Sequence, residues 1–255
     1  MAALATADAL RNAGIEFVVA PVRTDDGDIV CNLSDRYVVA VYPLVHGVTY
    51  DYGSFSDDAH RDAVVRNIAA LHCSPKSCRR WALNDTLSIP RRAELFDSCA
   101  QVHDRWASGP FADPARRLPA RHAAAVGRAF DTYDALAINV SSQPQRFVLT
   151  HGEPHPANTI TTGSGVLLID WDTALIAPPE RDLWDLAGQD PSFAARYESL
   201  TGTPVNDDSV ELYRLAWDLS EIAIYISDFR RPHERTEDMS EAWQNLQHFL
   251  DPTRW

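Results

Sequence analysis

The sequence contains a single lysine, Lys76; the rest of its 23 basic residues are arginines. It also carries a formal charge of −13. That balance argues against nucleic acid as a partner, because phosphate backbones are gripped by lysine and arginine. It is compatible with a cationic ligand, since acidic clefts focus field lines on cations, and equally with plain solubility. Long apolar runs are absent as well. None approaches the roughly 18 residues of a membrane-spanning helix, so no membrane partner is expected. The first residues, MAALATADALRNAG, include an acid and lack the apolar stretch of a signal peptide, which makes the cytoplasm the expected location. Cysteines are few: Cys31, Cys73, Cys78 and Cys99. Cys73 and Cys78 have ligand-like spacing but no second pair, so reduced, structural cysteines are expected rather than a zinc site.

What is present is a chain of 255 residues, 45% apolar, long enough for one large domain or two lobes sharing a cleft. It has no internal repeat and no low-complexity segment. Residues 3–13 read as a helix closed by Gly14. The runs IEFVVAPV, DIVCNL and RYVVAVY read as three short strands of an antiparallel meander over residues 15–42. PLVHG then breaks the pattern at Pro43 and Gly47. From Ser56, a candidate N-cap followed by Asp57 and Asp58, the spacing of Val64, Val65, Ile68 and Leu71 predicts a helix. Further helices are predicted over 91–107, 119–138, 179–187, 208–229 and 238–250. RFVLTHG reads as a strand, and NTITT-GSG-VLLIDWD as a tight hairpin.

The stretch HGEPHPANTITTGSGVLLIDWDTALIAPPERDLW carries the chemistry. His151, Glu153 and Asn158 have the spacing H-x-D-x-x-x-x-N of a kinase catalytic loop, with Glu for Asp. Asp170 follows at the end of an apolar strand. Phosphoryl transfer needs a carboxylate to orient an attacking hydroxyl and accept its proton, and oxygen ligands to hold Mg2+ against nucleotide phosphates. The hairpin is expected to fold Asp170 back beside Asn158. His155 reads as a supporting or packing histidine rather than a base. His151-x-Glu153 also matches half of a zinc-deaminase signature, but the required downstream P-C-x-x-C is absent because every cysteine lies upstream.

VLTHGEPHPAN…LLIDWDTALIAPPERDLW resembles the aminoglycoside phosphotransferase family, small-molecule relatives of protein kinases, and most of all its spectinomycin-phosphotransferase type. RYVVAVYPLVHG resembles that family's last front-lobe strand and hinge, and YRLAWDLSEIAIYISDFRRPH its substrate-side helix. The resemblance spans most of residues 15–250. It implies an α+β, protein-kinase-like two-lobe fold, with a reduced N-terminal β lobe over 1–47, a hinge at 42–47, and a large helical C-terminal lobe over 48–255. It implies Glu153 as catalytic carboxylate, Asn158 and Asp170 as catalytic metal ligands with Asp172 as a helper, and His151 and Asp182 as structural supports. Tyr42, Pro43, Leu44 and Val45 would meet the nucleobase of ATP or GTP. Asp218, Glu221, Tyr225 and Asp228, which share one side of their helix, would border the acceptor and grip ammonium groups; a solvated helix face is the alternative.

Two departures from that pattern stand out. Glu153 replaces the usual Asp, which moves the carboxylate outward by about one bond length and leaves its basicity nearly unchanged. The second concerns the front lobe. The family's phosphate-covering loop and strand lysine have no counterpart before Lys76, and Asp8 is the only acid of the first helix. A start assigned too late, a truncated variant with weak nucleotide binding, and a fold turned to other work would each explain this. The expected function is transfer of the γ-phosphate of ATP or GTP, with Mg2+, to a hydroxyl of a small cationic molecule such as an aminoglycoside or aminocyclitol. A degenerate or repurposed small-molecule binding module is the alternative. A front lobe short of strands would expose an edge that a homodimer or strand donation would cover.

Overall fold

The computed structural model describes residues 1–100, 106–189, 192–251 and 254. In chain order its elements are α1 (Ala2–Asn12), β1 (Cys31–Asn32), β2 (Val38–Val39), β3 (Val48–Thr49), α2 (Asp58–His72), β4 (Leu83–Asn84), α3 (Arg92–Ala100), α4 (Ala112–Arg121) and α5 (Ala123–Ser141). They continue with β5 (Val148–Thr150), β6 (Thr159–Thr162), β7 (Gly165–Leu168), β8 (Leu175–Ala177), α6 (Trp184–Gln189), α7 (Phe193–Thr201), α8 (Asp207–Arg230) and α9 (Glu237–Phe249). The fold is α+β. Among the described residues no helix is long and apolar enough to cross a membrane.

The chain divides into two compact units: Met1–Thr86 with Gln143–Val210, and Leu87–Ser142 with Glu211–Trp255. This differs from the boundary expected near residue 47. Residues 1–47 do not stand alone, because α1 packs on the turns Lys76–Arg80 and Trp171–Thr173. Residues 17–19 also join the edge of β7: Leu168 N–H donates to Phe17 O (2.7 Å), and Val19 N–H to Leu168 O (3.1 Å).

Among the described residues, the first unit holds every strand. β3, β6 and β7 form one antiparallel sheet in the order β3-β6-β7; β4, β8 and β5 form another, in which β8 runs parallel to β4 and antiparallel to β5. Helix α1 ends as its sequence dictates. Gly14 sits at φ +85, Gly14 N–H returns to Arg11 O and Ile15 N–H to Leu10 O, the paired bonds of a left-handed helix terminus. Helix α2 is capped by Asp57, one residue beyond the expected Ser56, with its carboxylate accepting from His60 N–H at 2.8 Å. The expected apolar stripe of α2 is buried against the sheet side and α7.

The expected three-strand meander over 15–42 is not formed. Only Cys31↔Val39 and Asn32↔Val38 pair. Residues 17–19 pair with Leu168 instead, and a single bond, from Val22 N–H to Val41 O, links this segment to residue 41. The reason is lack of cover. Leu33, Tyr37, Val38, Val41 and Leu44 are exposed, Leu44 by 84%, and a two-stranded ribbon without a packed face is marginal in water.

The second unit is helical. Residues 119–138 are not one helix: Pro119 lies in the last turn of α4, and α5 starts beyond His122. Of the helix expected over 91–107, residues 92–100 are helical and 101–105 lie outside the described residues. Phe111, Phe229, His233 and Trp243 form an aromatic cluster in this unit.

Candidate active site

The catalytic loop starts where β5 ends, and a buried carboxylate takes over the backbone there. Asp182 accepts from His151 N–H at 2.8 Å and from Gly152 N–H at 2.6 Å, one oxygen each. His72, at the end of α2, adds a third bond from Nε2 at 3.1 Å, and the Tyr197 hydroxyl meets His72 Nδ1 at 2.7 Å. Burial pushes the Asp182 carboxyl up; the His72 hydrogen bond, with the nearby Arg181 charge, outweighs it and holds it below the usual range. Asp182 is thus an anchored anion that fixes two loop amides.

His151 is fully buried. Its Nε2 donates to Ile169 O (2.9 Å) and its Nδ1 accepts from Glu153 N–H (3.3 Å), while its ring meets the Trp171 ring edge-on at 4.6 Å. With one nitrogen donating and the other accepting, the ring is neutral. Burial lowers its pKa, and Asp182 only partly opposes that. Both expected supports, His151 and Asp182, therefore serve one small network. Gly152 completes it at φ +107, with Arg181 laid so closely over it that a Cβ would fall 2.5 Å from the guanidinium.

The hairpin does the converging. β6 and β7 pair from Thr162↔Gly165 to Thr159↔Leu168, and the ladder runs one step further, Ile169 N–H donating to Asn158 O at 3.0 Å. Asn158 and Asp170 therefore emerge from the same end of the hairpin. Asp170 takes a left-handed backbone, φ 62 and ψ 64, and the turn Trp171–Thr173 carries Asp172 beside it. Burial raises the Asp170 pKa, and so do the bond and charge of Asp172 and the charge of Glu153. Three carboxylates thus share one electrostatic neighbourhood. Glu153 itself is held below the usual carboxylate range, mainly by its contact with His155, with burial opposing; His155 Nε2 lies 3.7 Å from Glu153 Oε2. At neutral pH Glu153 is an ionised base, 38% exposed.

Asn158 directs its amide nitrogen inward, to Glu153 O at 2.9 Å and to His155 Nε2 at 3.3 Å. Its oxygen is the end left facing away. One amide oxygen and a carboxylate pair suit Mg2+, which takes one or two protein carboxylates and fills its remaining sites with phosphate oxygens and water. The crowding that raises the Asp170 pKa marks where a cation would be welcome. Among the described residues no group of three or more His, Cys, Asp and Glu is placed to hold a metal ion.

Of the hinge residues, Tyr42 alone shows an electrostatic link to this cluster. Burial raises its phenol pKa first, then the charges of Asp170 and Asp172. Pro43 and Leu44 are exposed and Val45 half-buried, and among the described residues the backbone of 43–45 makes no hydrogen bond.

The four acceptor-side residues lie in the second unit, on α8, and each has partners there. Asp218 is 1% exposed and held by Arg214 at 3.2 Å and Arg254 at 2.8 Å, one on each oxygen. In this structure it is a buried acid with both oxygens taken, where the sequence suggested an open helix face. Asp228 pairs with Arg91 and Arg231, both at 3.4 Å. The Tyr225 hydroxyl accepts from Asn245 at 3.2 Å, and burial with the Glu221 charge pushes its pKa up to about 12.

Sequence reasoning missed His72, Tyr197 and Arg181. His72 was visible only as the end of an apolar helix stripe, and nothing local in 197 or 181 pointed to the loop.

A sequence profile described as "phosphotransferase enzyme family" matches residues 1–213. Protein StrN of Streptomyces griseus is 27% identical over 254 residues, 96% of this chain and 75% of StrN. The structure superposes on a spectinomycin phosphotransferase solved with ADP and spectinomycin with TM-score 0.77 at 18% identity, covering 100% of this chain and 83% of that one. A microcompartment-associated aminopropanol kinase gives TM-score 0.64 at 17% identity, covering 96% and 78%. These likenesses make the fold kinase-like.

Proposed function

Because the chain belongs to the phosphotransferase enzyme family, we propose that it moves the γ-phosphoryl group of ATP or GTP onto a hydroxyl of a small, cationic acceptor of the aminoglycoside or aminocyclitol kind. The observation that carries this reading is the bond from Ile169 N–H to Asn158 O, which brings Asn158 and Asp170 to one end of the hairpin, next to Glu153.

In the reaction, the acceptor hydroxyl oxygen forms a bond to the γ-phosphorus as the bond from that phosphorus to the β,γ-bridging oxygen breaks. Nucleoside diphosphate leaves, and the hydroxyl proton passes to the ionised Glu153. Mg2+, held by Asn158 and Asp170 with Asp172 in support, would neutralise phosphate charge. Asp182 and His151 keep the loop that bears Glu153 from shifting, and Tyr42 to Val45 offer unpaired backbone to the nucleobase. For the acceptor, the reading takes Glu221 and Asp228 of α8 as the acids that would meet an ammonium group.

A binding module on the same scaffold is the second reading. One observation bears on it: Lys76, the single lysine of the sequence, lies in the turn Lys76–Arg80 packed on α1. Thermal melts separate the two. The enzyme reading expects Mg2+ with ATP or GTP to raise the melting temperature, and Asp170→Asn to abolish both that rise and phosphate transfer to an aminocyclitol panel. Stabilisation by the panel alone, indifferent to Mg2+-nucleotide, would establish the binding module instead.

A further inference from the structure

The second histidine of the loop is the side chain whose position the proposed reaction does not yet use. His155 presents Nε2 to two neighbours at once, the Asn158 amide nitrogen at 3.3 Å and the Glu153 carboxylate at 3.7 Å. Its other nitrogen, Nδ1, is buried and has no hydrogen-bond partner among the described residues. Its ring is met edge-on by Tyr52 at 4.9 Å. A histidine kept only to fill space would be better replaced by an apolar ring, because a buried nitrogen without a partner costs about 1–3 kcal/mol. The feature that accounts for keeping it is Nε2.

An amide can be placed either way round, and only its hydrogen-bond partners decide. The Glu153 carbonyl can only accept, so it selects the nitrogen of Asn158 on that side. His155 Nε2 in its accepting form makes the same selection from a second direction. If the amide turned over, its oxygen would face the carbonyl oxygen and the Nε2 lone pair together. The two contacts leave the amide oxygen pointing away from both, which is the end a hard cation needs.

We propose that His155 is a positioning residue: supported by Tyr52, its Nε2 lone pair locks the Asn158 side chain with its oxygen outward. The proposal rests on the phosphotransferase reading for its consequence, and on the His155–Asn158–Glu153 geometry for its substance.

The test has two arms. In kinetics with Mg2+-nucleotide and an accepted aminocyclitol, His155→Phe is expected to lower kcat by about 10- to 100-fold, as loss of a group that orients a metal ligand does, with the acceptor KM held within about two-fold. His155→Gln, which can still accept through its amide oxygen, is expected to recover a substantial part. In the second arm, the Asn158 side-chain NH2 pair is followed by 1H–15N NMR without any ligand, assigned through its loss in Asn158→Ser. It is expected to be resolved and slowly exchanging in the wild type and in His155→Gln, and broadened or shifted to solvent-like values in His155→Phe. A His155→Phe protein whose Asn158 pair is unchanged overturns the proposal, whether or not the wild type turns over. Absence of turnover with the NH2 result as expected overturns the phosphotransferase reading and leaves the positioning role standing.

Discussion

The hairpin β6–β7 and the front ribbon β1–β2 share a strand–turn–strand pattern, and the structure treats them in opposite ways. Both alternate short apolar runs with a polar turn. Leu168 in the hairpin is fully buried, flanked by β6 on one edge and residues 17–19 on the other. Val38 in the ribbon is 55% exposed and its strand has one partner of two residues. Strand pattern sets what a segment can do; a covered face and two paired edges decide whether it does it. The elements that carry chemistry are those whose hydrogen bonds are answered within the first unit.

That contrast can be broken or sharpened by substitution. The largest effect is expected at Asp182. Asp182→Ala leaves two loop amides and His72 without their buried acceptor and should cost about 3–5 kcal/mol in denaturant titration. The same network predicts the acid limb. Asp182 has a lowered folded-state pKa, so its stabilisation is whole above its unfolded value, about pH 4, and is lost as pH falls towards the lower folded one. His151, also lowered, is bound by fewer protons folded than unfolded, so it weakens the protein in the same direction, starting near pH 6.5. A wild-type stability curve rising as pH falls from 6.5 to 4 would contradict the His151 expectation, and one rising as pH falls below 4 the Asp182 one. Next comes Leu168→Ala, expected to lose about 2–5 kcal/mol by cavity formation. Gly152→Ala should cost about 1–3 kcal/mol, since the position combines a left-handed backbone with the Arg181 guanidinium overhead; Arg181→Ala in the same chain should relieve the crowding and leave the backbone cost. Smallest is Val38→Ser, within about 0.5 kcal/mol. A Val38→Ser loss comparable to that of Leu168→Ala would mean that the ribbon is covered in solution, as by a second copy of the chain, and sedimentation would then show an oligomer.

The contrast also explains what was legible beforehand. The stripe of α2, the Gly14 terminus and the hairpin are local patterns, each decided within a dozen residues, and they stand as expected. The spacing of His151, Glu153 and Asn158 gave the loop, and the hairpin gave Asp170 its place beside it. Failures came where the outcome depended on distant chain. The meander read from 15–42 was undone because residues 17–19 found Leu168, about 150 residues away, as a partner. Asp218 looked like an acid on an open helix face because nothing near it in sequence announces Arg254. His72 and Tyr197 complete the Asp182 network from two other helices, and no periodicity in either helix carries that information. The number of long-range partners a side chain acquires is what the linear text conceals.

One detail of the hairpin's end governs how its chemistry should be probed. Asp170 occupies a region of dihedral space that aspartate and asparagine visit readily and most other side chains avoid. Exchanging it for alanine would alter shape and charge together, so a dead enzyme would say little about which was missed. Asparagine removes the charge while remaining at home in that conformation, and the comparison of the two variants separates the cost of a bent backbone from the value of an anion.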